Sequence, residues 1–172
     1  MFAGKFLNRP WMLKFSWMTL IVAILSFSAC KEEEEPEPPQ TIFGSADVNG
    51  SYTTFTRATF TSTPENGRIK NVVSLARSDN STVVIQFFGT ELGTYDLPNP
   101  DTLVRCRYID PSDRIFKSDS GKIVISDYYV TNSIITVSGG FEFEGDFINQ
   151  NTGLVSNIRI TNGGFVNVKT EP

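Results

Sequence analysis

The stretch Thr82–Gly89, TVVIQFFG, decides the fold class. Apolar side chains occupy both faces of a strand over these residues: Val83, Ile85 and Phe87 on one face, Val84 and Phe88 on the other. β-Branched and aromatic residues at this density favour an extended chain, and the preceding residues SDNS are typical of a turn. The stretch therefore predicts a strand in the interior of a sheet, covered on both sides.

Short runs of the same kind extend in both directions from this stretch. Towards the amino end, residues 69–76 form a candidate hairpin with it across SDNS. Asn49-Gly50 predicts another hairpin, between residues 42–48 and 52–60, because Asn-Gly is the strongest short hairpin signal. Towards the carboxyl end, the remaining runs lie at residues 103–109, 115–117, 122–129, 134–143, 154–160 and 165–169.

The runs are separated by turn residues, and none shows a helical period over eleven or more residues. The residues GTYDLPNPD, 93–101, predict a turn-rich connection, and Gly139-Gly140 predicts a bulge or bend within its strand. Nine to ten short strands at this spacing predict an all-β fold, an antiparallel β-sandwich or barrel. We expect a single β domain over residues 41–172.

Residues 1–29 have the layout of a secretory signal peptide. The first fourteen positions hold three basic residues and no acidic one, and residues 15–27 carry no charge and precede two small residues. A membrane-spanning anchor is the competing interpretation. It needs about 20 apolar residues, and the uncharged run ends earlier, at Cys30. The segment is therefore predicted to be removed.

Phe27-Ser28-Ala29-Cys30 resembles the lipobox of bacterial lipoproteins, with Phe27 where Leu is usual. The resemblance implies cleavage before Cys30 and acylation of this residue, with palmitate as a typical chain. Two acyl chains suffice for stable anchoring to a membrane. The alternative for Cys30 is a disulfide with Cys106, the only other cysteine. That bond needs fixed Cα positions, which the residues beside Cys30 do not favour.

Residues 30–40 are predicted to be a lipidated cysteine followed by an extended tether. Residues 31–40 contain five glutamates, three prolines and no apolar side chain, so they bury no surface. A lysine followed by acidic residues also resembles the export signal of Bacteroidetes lipoproteins, which implies the outer face of the outer membrane. A periplasm-facing position is the alternative. The residues of this signal are Lys31, Glu32, Glu33, Glu34 and Glu35.

Composition excludes several function classes. The chain has no histidine, and its two tryptophans and three methionines all lie within residues 1–29. Ser-His-Asp and Cys-His catalysis are therefore excluded, as is a zinc site built on imidazole. A net charge of −4 with no concentrated basic segment argues against nucleic-acid binding. We expect no cofactor and no metal.

Five motifs follow one another along residues 41–169: VNG, LGTYDL, SGKIVIS, VSGGFEFEG and IRITNGGFVNV. In this order they resemble a family of uncharacterised Bacteroidetes lipoproteins, catalogued as a domain of unknown function. A VNG hairpin, a GTY turn and a closing SGxFxF and ITxGxF pair recur in that family. The resemblance implies an all-β secreted domain and brings no catalytic residues.

Charged and aromatic residues suggest a ligand groove in the domain. Arg105 and Arg107 share one face of a run, and the tyrosines offer aromatic surface and a hydroxyl group. Such residues are also ordinary on strand surfaces. Cys106, between the arginines, is predicted to be a small buried hydrophobe. The residues of the candidate groove are Tyr95, Arg105, Arg107, Tyr128 and Tyr129.

Two sets of carboxylates are candidates for a site. Glu142 and Glu144 project to one side of a strand, as in a glycosidase pair, but no cleft is implied and a half-buried strand requires the same alternation. Asp110, Asp113 and Asp119 offer hard oxygen ligands of the kind that calcium prefers. Their spacing matches no calcium loop, and aspartate is common in turns. We assign catalytic or metal-binding roles to none of them.

The motif DTL at residues 101–103 resembles the short acceptor motif for periplasmic O-glycosylation in Bacteroidetes, with Thr102 as the acceptor. The sequence as a whole predicts a non-enzymatic, membrane-anchored surface lipoprotein whose β domain is a binding or structural module at the cell envelope, with carbohydrate or protein as its partner. The alternative is a small carbohydrate-active hydrolase that uses acidic residues only. The oligomeric state stays open.

Overall fold

The computed structural model describes residues 41–97 and 103–171, which form ten strands and no helix. Accordingly, no helix in this part of the chain is long and apolar enough to cross a membrane. The strands are β1 (Gly44–Val48), β2 (Ser51–Phe55), β3 (Arg57–Glu65), β4 (Arg68–Ala76), β5 (Thr82–Phe88), β6 (Gly93–Leu97), β7 (Arg105–Ile109), β8 (Ile115–Thr131), β9 (Ile134–Ile148) and β10 (Val155–Lys169).

The strands form one antiparallel sheet in the order β2-β1-β10-β9-β8-β7-β5-β4-β3, with β6 added to β8. The two outermost strands, β2 and β3, are joined by the single residue Thr56, whose N–H donates to the Ala76 carbonyl at 3.1 Å. This short connection brings the two edges of the sheet towards each other, and Phe60 forms a parallel bridge with Thr170. The sheet is therefore a curled half-barrel, and the all-β antiparallel prediction is confirmed.

The predicted interior strand is β5, which pairs with β4 on one side and β7 on the other. Val83, Ile85 and Phe87 are fully buried and point into the curled sheet. Val84, on the opposite face, is also buried. The predicted hairpin of β4 and β5 is confirmed, with Val73 opposite Ile85. The strand thus has neighbours on both edges and one fully buried face, while its outer face is buried at Val84 and only half-buried at Gln86 and Phe88.

Several strands differ from the sequence-based boundaries. The run at 52–60 is divided at Thr56 between β2 and β3, and the run at 134–143 extends to Ile148 in β9. The runs at 115–117 and 122–129 belong to the single 17-residue strand β8, and those at 154–160 and 165–169 belong to the 15-residue strand β10. The turn-like residues between the runs form bulges within each strand, so pairing with β9 continues on both sides of them. The predicted turn-rich connection contains β6, since pairing with β8 satisfies its backbone groups.

A bulge was predicted at Gly139-Gly140 of β9, but the extra residues belong to the neighbouring strands β8 and β10. β9 runs through both glycines, whereas β8 has an extra residue at Ser126 and β10 has a register shift after Phe165. A Cβ on Gly139 would lie 2.9 Å from Cζ of Phe165. The glycine therefore makes room for an aromatic ring of the adjacent strand, and the strand itself does not break.

The inside of the curled sheet holds one hydrophobic cluster, to which all ten strands contribute side chains. Aromatic rings fill much of it, and Phe60 contacts the half-buried Tyr128 edge to face at 6.5 Å between ring centroids. Outward-facing side chains are polar over most of β8, β9 and β10. The largest fully buried side chains are Phe55, Phe60, Phe87, Phe143 and Phe165.

Candidate functional site

A polar depression lies on the outer face of β8, β9 and β10, near the β1–β2 turn. Its volume is about 450 Å³. Side chains alternate along a strand, so the neighbours of an inward-facing core residue point outwards. In this region those outward-facing residues are polar, and they line the depression. The depression is lined by Asn49, Asp119, Ser120, Glu144, Gly145, Asp146, Asn157, Ile158 and Arg159.

Two backbone features shape this depression. Asp119 is the extra residue of a bulge in β8, between Ser118 opposite Gly145 and Ser120 opposite Glu144. A bulge re-aims the side chain that it carries. A Cβ on Gly145 would lie 2.8 Å from the carbonyl carbon of Lys117, so the absence of a side chain allows the close approach of β8.

The β1–β2 turn is fixed against β10 beside the depression. Asn49, with φ of 49°, begins the predicted Asn-Gly turn. Its N–H donates to the Arg159 carbonyl at 2.8 Å, and its side-chain Oδ1 accepts the Arg159 N–H at 2.9 Å. This pair of hydrogen bonds holds the turn at the rim of the depression.

Cross-strand contacts orient the polar side chains of the depression. Arg159 Nε lies 3.3 Å from Glu144 Oε1, and Asn157 Nδ2 donates to Asp146 Oδ1 at 2.5 Å. The Arg159–Glu144 pair is exposed, so its contribution to stability is below about 1 kcal/mol. The contacts pair donors and acceptors of neighbouring strands across the depression.

Glu142 and Glu144 lie on this outer face, with Phe143 buried between them on the inside. Each carboxylate has its own cationic neighbour: Glu142 lies 3.1 Å from Lys122 Nζ, and Glu144 contacts Arg159. Lys122 and Arg159 belong to strands on opposite sides of β9. The two glutamates are thus surface ion-pair partners on a strand face.

The two arginines of the predicted groove do lie together. Arg105 and Arg107 are exposed on the outer face of β7, while Cys106 between them points into the core. Arg107 lies directly opposite Lys117 of β8. Lys117 was not predicted as a site residue, because only the strand pairing brings it beside Arg107.

The tyrosines of the predicted groove lie elsewhere. Tyr128 and Tyr129 follow each other on β8 and point to opposite faces, about 30 Å or more along the strand from Lys117. Tyr128 packs on Phe60, whereas Tyr129 is exposed. Tyr95 is half-buried in β6 and donates to the Glu91 carbonyl at 2.7 Å. Burial, together with the Glu91 charge, raises the pKa of Tyr95.

Asp110 organises the loop between β7 and β8. Its Oδ2 accepts a hydrogen bond from Arg114 Nε at 2.7 Å, and its Oδ1 accepts from the N–H groups of Ser112 at 2.9 Å and Arg114 at 3.0 Å. Burial opposes ionisation of the carboxyl group, but these hydrogen bonds outweigh it and hold the pKa of Asp110 below its usual value. The Arg114 guanidinium also lies 5.6 Å from the Phe116 ring centroid.

We expect Asp110→Asn to lower the free energy of unfolding by about 1.5–3 kcal/mol at pH 7, because hydrogen bonds to a charged carboxylate are lost. The folded-state pKa of Asp110 is lowered. Its contribution is therefore complete above the unfolded pKa, near 3.9, and is lost as the pH falls through the folded pKa. Urea denaturation of both proteins at a series of pH values should show the difference shrinking below about pH 4.

The matched control for Asp110→Asn is Asp113→Asn in the same loop. Asp113 is exposed and has a φ of 60°, which asparagine also tolerates. This variant should change the free energy of unfolding by less than about 0.5 kcal/mol. Equal losses in both variants, or a loss at Asp110 that does not depend on pH, would contradict the assigned role of the Asp110 carboxylate.

The three aspartates that are candidate calcium ligands do not lie together. Asp110 is engaged by Arg114, Asp113 lies exposed in the loop, and Asp119 lines the polar depression. In residues 41–97 and 103–171, no group of three or more acidic or cysteine side chains is arranged to hold a metal ion. The expectation of no metal and no cofactor stays a prediction.

Cys106 is a free, buried cysteine whose N–H donates to Ser118 Oγ at 3.1 Å. Burial raises the pKa of the Cys106 thiol, which leaves it in the unreactive neutral form. Several other predicted residues lie outside the described part of the chain. These are Cys30, Lys31, Glu32, Glu33, Glu34, Glu35 and Thr102, together with the signal peptide and tether.

Sequence reasoning missed most residues of the depression. The outward alternation on β9 and β10 was a usable signal, since polar residues such as Asp146, Asn157 and Arg159 alternate with apolar ones. No local pattern, however, indicates that Asp119 of β8 and Asn49 of the first turn adjoin them. Their proximity follows from strand order and from the bulge.

These features define a class of protein: an all-β domain made of one curled antiparallel sheet, with an apolar interior and a polar outer face. The chain belongs to the family described as Domain of unknown function (DUF6252), which matches residues 53–169. No curated protein matches the chain, and no solved structure does either. The matched residues run from β2 to the end of β10 and include Arg105, Arg107, Lys117 and all of the depression except Asn49.

Proposed function

We propose that the chain is a non-enzymatic lipoprotein of the Bacteroidetes type, anchored to the outer membrane through Cys30, whose β domain binds carbohydrate at the cell surface. The polar depression on β8, β9 and β10 is the observation that carries the binding proposal. Carboxylate, carboxamide and guanidinium groups meet there within about 450 Å³. Sugar hydroxyl groups both donate and accept hydrogen bonds, so they suit a surface that offers both kinds of partner.

The placement of the depression on paired strands supports binding. Its side chains project from three paired strands, and cross-strand contacts fix Asn157 against Asp146 and Arg159 against Glu144. A site whose groups are already oriented loses little conformational entropy when a ligand arrives. Sites built on strands are also positioned more accurately than sites on loops.

The envelope location rests on the amino-terminal segment. The basic start, the uncharged run and the small residues before Cys30 support secretion and acylation. The following residues, KEEEEPEPPQ, support an extended spacer and export to the outer face of the membrane. A lipid anchor on a spacer would leave the β domain free to meet glycans outside the cell.

Asn157→Ala tests the binding surface. We expect the full chain, purified in mild detergent, to bind members of a glycan array, and Asn157→Ala to weaken that binding about three- to tenfold because one hydrogen-bonding group is lost. Asp127→Asn, on β8 far from the depression, is the control and should bind as the unchanged chain does. Absence of glycan binding, or equal binding by Asn157→Ala, would overturn the proposal.

A hydrolase that uses only acidic residues is the second candidate. It is favoured by one observation, the presence of Asp119, Glu144 and Asp146 in the same depression. Against a catalytic role, Glu144 and Asp146 are each engaged by a neighbour on β10. Incubating the chain with the glycans that it binds, and measuring new reducing ends, separates a hydrolase from a binding protein.

A further inference from the structure

Three exposed basic residues form a continuous strip on the outer face of β7 and β8. Arg105 and Arg107 stand two positions apart on β7, so both face outwards, and Lys117 lies directly opposite Arg107. We call Arg105, Arg107 and Lys117 the basic strip. Behind it, Cys106 and Phe116 are buried in the core, which fixes the direction of the three side chains.

The two arginines of the basic strip have no acidic residue directly opposite them in the described strands, whereas Lys117 lies opposite Asp146 of β9. Among the residues that the structure describes, none of the three forms an ion pair. Like charges directly opposite each other on neighbouring strands are destabilising, and Arg107 and Lys117 are such a pair. The domain nevertheless places them together, on a chain whose net charge is negative. The two arginines, which have no ion-pair partner among the described residues, favour an anionic ligand.

The basic strip adjoins the polar depression. Lys117 lies opposite Asp146 of β9, and Asp146 lines the depression. On the β7 side, the hydrogen bond from Cys106 to Ser118 holds β7 next to the bulge that carries Asp119. A chain-like ligand that lies across β7, β8, β9 and β10 would therefore contact the cations with one part and the hydrogen-bonding groups of the depression with the adjacent part.

We propose that the basic strip and the depression together bind an acidic polysaccharide. The carboxylate or sulfate groups of the polymer contact Arg105, Arg107 and Lys117, and its hydroxyl groups contact the depression. Guanidinium groups suit this role because their planar donors match oxyanions in pairs. The inference rests on the proposed carbohydrate-binding function and specifies the chemical class of the glycan.

The surroundings of the strip favour a polysaccharide over an anionic membrane surface. The depression contributes three carboxylates beside the cations: Asp119, Glu144 and Asp146. A dense layer of lipid phosphates would be repelled by these groups, whereas a polymer carries its charges at intervals and presents hydroxyl groups between them. The strip also lies along the strands rather than on an exposed apolar tip that could enter a bilayer.

The experiment compares dextran sulfate with dextran, which differ only in their sulfate groups, and adds alginate as a carboxylate polymer. The full chain in mild detergent should bind both acidic polymers at least about tenfold more tightly than dextran, and increasing salt should weaken this binding. The triple variant Arg105→Gln, Arg107→Gln and Lys117→Gln should lose most of this preference. A further arm uses detergent micelles that contain an anionic phospholipid.

The matched control removes the same number of positive charges elsewhere: Arg57→Gln, Arg77→Gln and Lys169→Gln. This control should keep the preference for acidic polymers. Equal binding of dextran and dextran sulfate would overturn the inference and leave the proposed carbohydrate binding intact. Binding to the anionic micelles without binding to either acidic polymer would overturn it in favour of a membrane ligand. Binding to no polymer or glycan would overturn both proposals.

Discussion

Gly121→Ala should lower the free energy of unfolding by more than about 3 kcal/mol, the largest stability effect that we expect from a single methyl group in this domain. Gly121 has a φ of +129°, which side-chain-bearing residues rarely adopt. A Cβ at this position would also lie 2.6 Å from the Cα of Phe143 and 2.9 Å from the carbonyl carbon of Glu142. Both neighbours are backbone atoms of β9, so they cannot move aside as a flexible side chain would.

Gly93→Ala separates the two contributions. Gly93 has a φ of +149°, close to that of Gly121, but no heavy atom lies within 4 Å of the position that its Cβ would take. This control should therefore show the cost of backbone strain alone, about 1–3 kcal/mol. Urea denaturation of the three proteins gives the comparison. Equal losses in the two variants would show that the approach of β8 to β9 at Gly121 is not restrictive.

Cys30→Ala should release the protein from the membrane fraction. The reason is chemical: alanine has no thiol to carry acyl chains, and acylation of the cysteine supplies the proposed anchor. Fractionation of cells that express the full chain, followed by mass measurement of the amino-terminal peptide, provides the test. We expect the unchanged protein in membranes, with a lipid-modified Cys30, and nearly all of the variant protein outside them or as unprocessed precursor.

Cys106→Ala is the matched control for Cys30→Ala. Cys106 is buried and free in the described domain, so its replacement removes a thiol without removing the proposed acylation site. This variant should stay in the membrane fraction. Membrane retention and unchanged processing of Cys30→Ala would contradict the lipoprotein proposal. Release by both variants would indicate that destabilisation, and not loss of acylation, separates the protein from the membrane.

The candidate site lies on long paired strands, and this location favours an extended ligand. Asn157, Arg159 and Asp146 belong to the long strands β9 and β10, which are paired over most of their length. Such a surface presents polar groups on neighbouring strands side by side. It suits an extended ligand that contacts several of these groups in turn. This arrangement agrees with a polymer as the proposed ligand.

Local sequence signals predicted the class of fold and several individual elements. The alternation in Thr82–Phe88 identified an interior strand, because the period of two and the apolar cover on both faces are properties of the strand itself. Asn49-Gly50 predicted the β1–β2 turn, because asparagine and glycine tolerate the positive φ values found there, 49° and 79°. Such signals need no knowledge of which strands are neighbours.

The same local reasoning divided β8 and β10 into shorter strands. Polar and glycine residues such as SDSG at 118–121 have turn chemistry, but pairing with β9 supplies the hydrogen bonds that keep the chain extended. The candidate site was predicted only in part for a related reason. Arg105 and Arg107 share a face because they are two residues apart, whereas the tyrosines were grouped with them by residue type alone.

The sequence by itself determined the all-β class, the interior position of β5, the turn at Asn49-Gly50 and the absence of histidine chemistry, because each depends on composition or on residues close in the chain. Only the tertiary structure decided that Lys117 stands opposite Arg107 and that Asp119 joins Asn157 beside the first turn. These contacts depend on strand order and register, which are set by the packing of the whole apolar interior. A bulge of one residue is enough to change which side chains meet, so local patterns do not specify them.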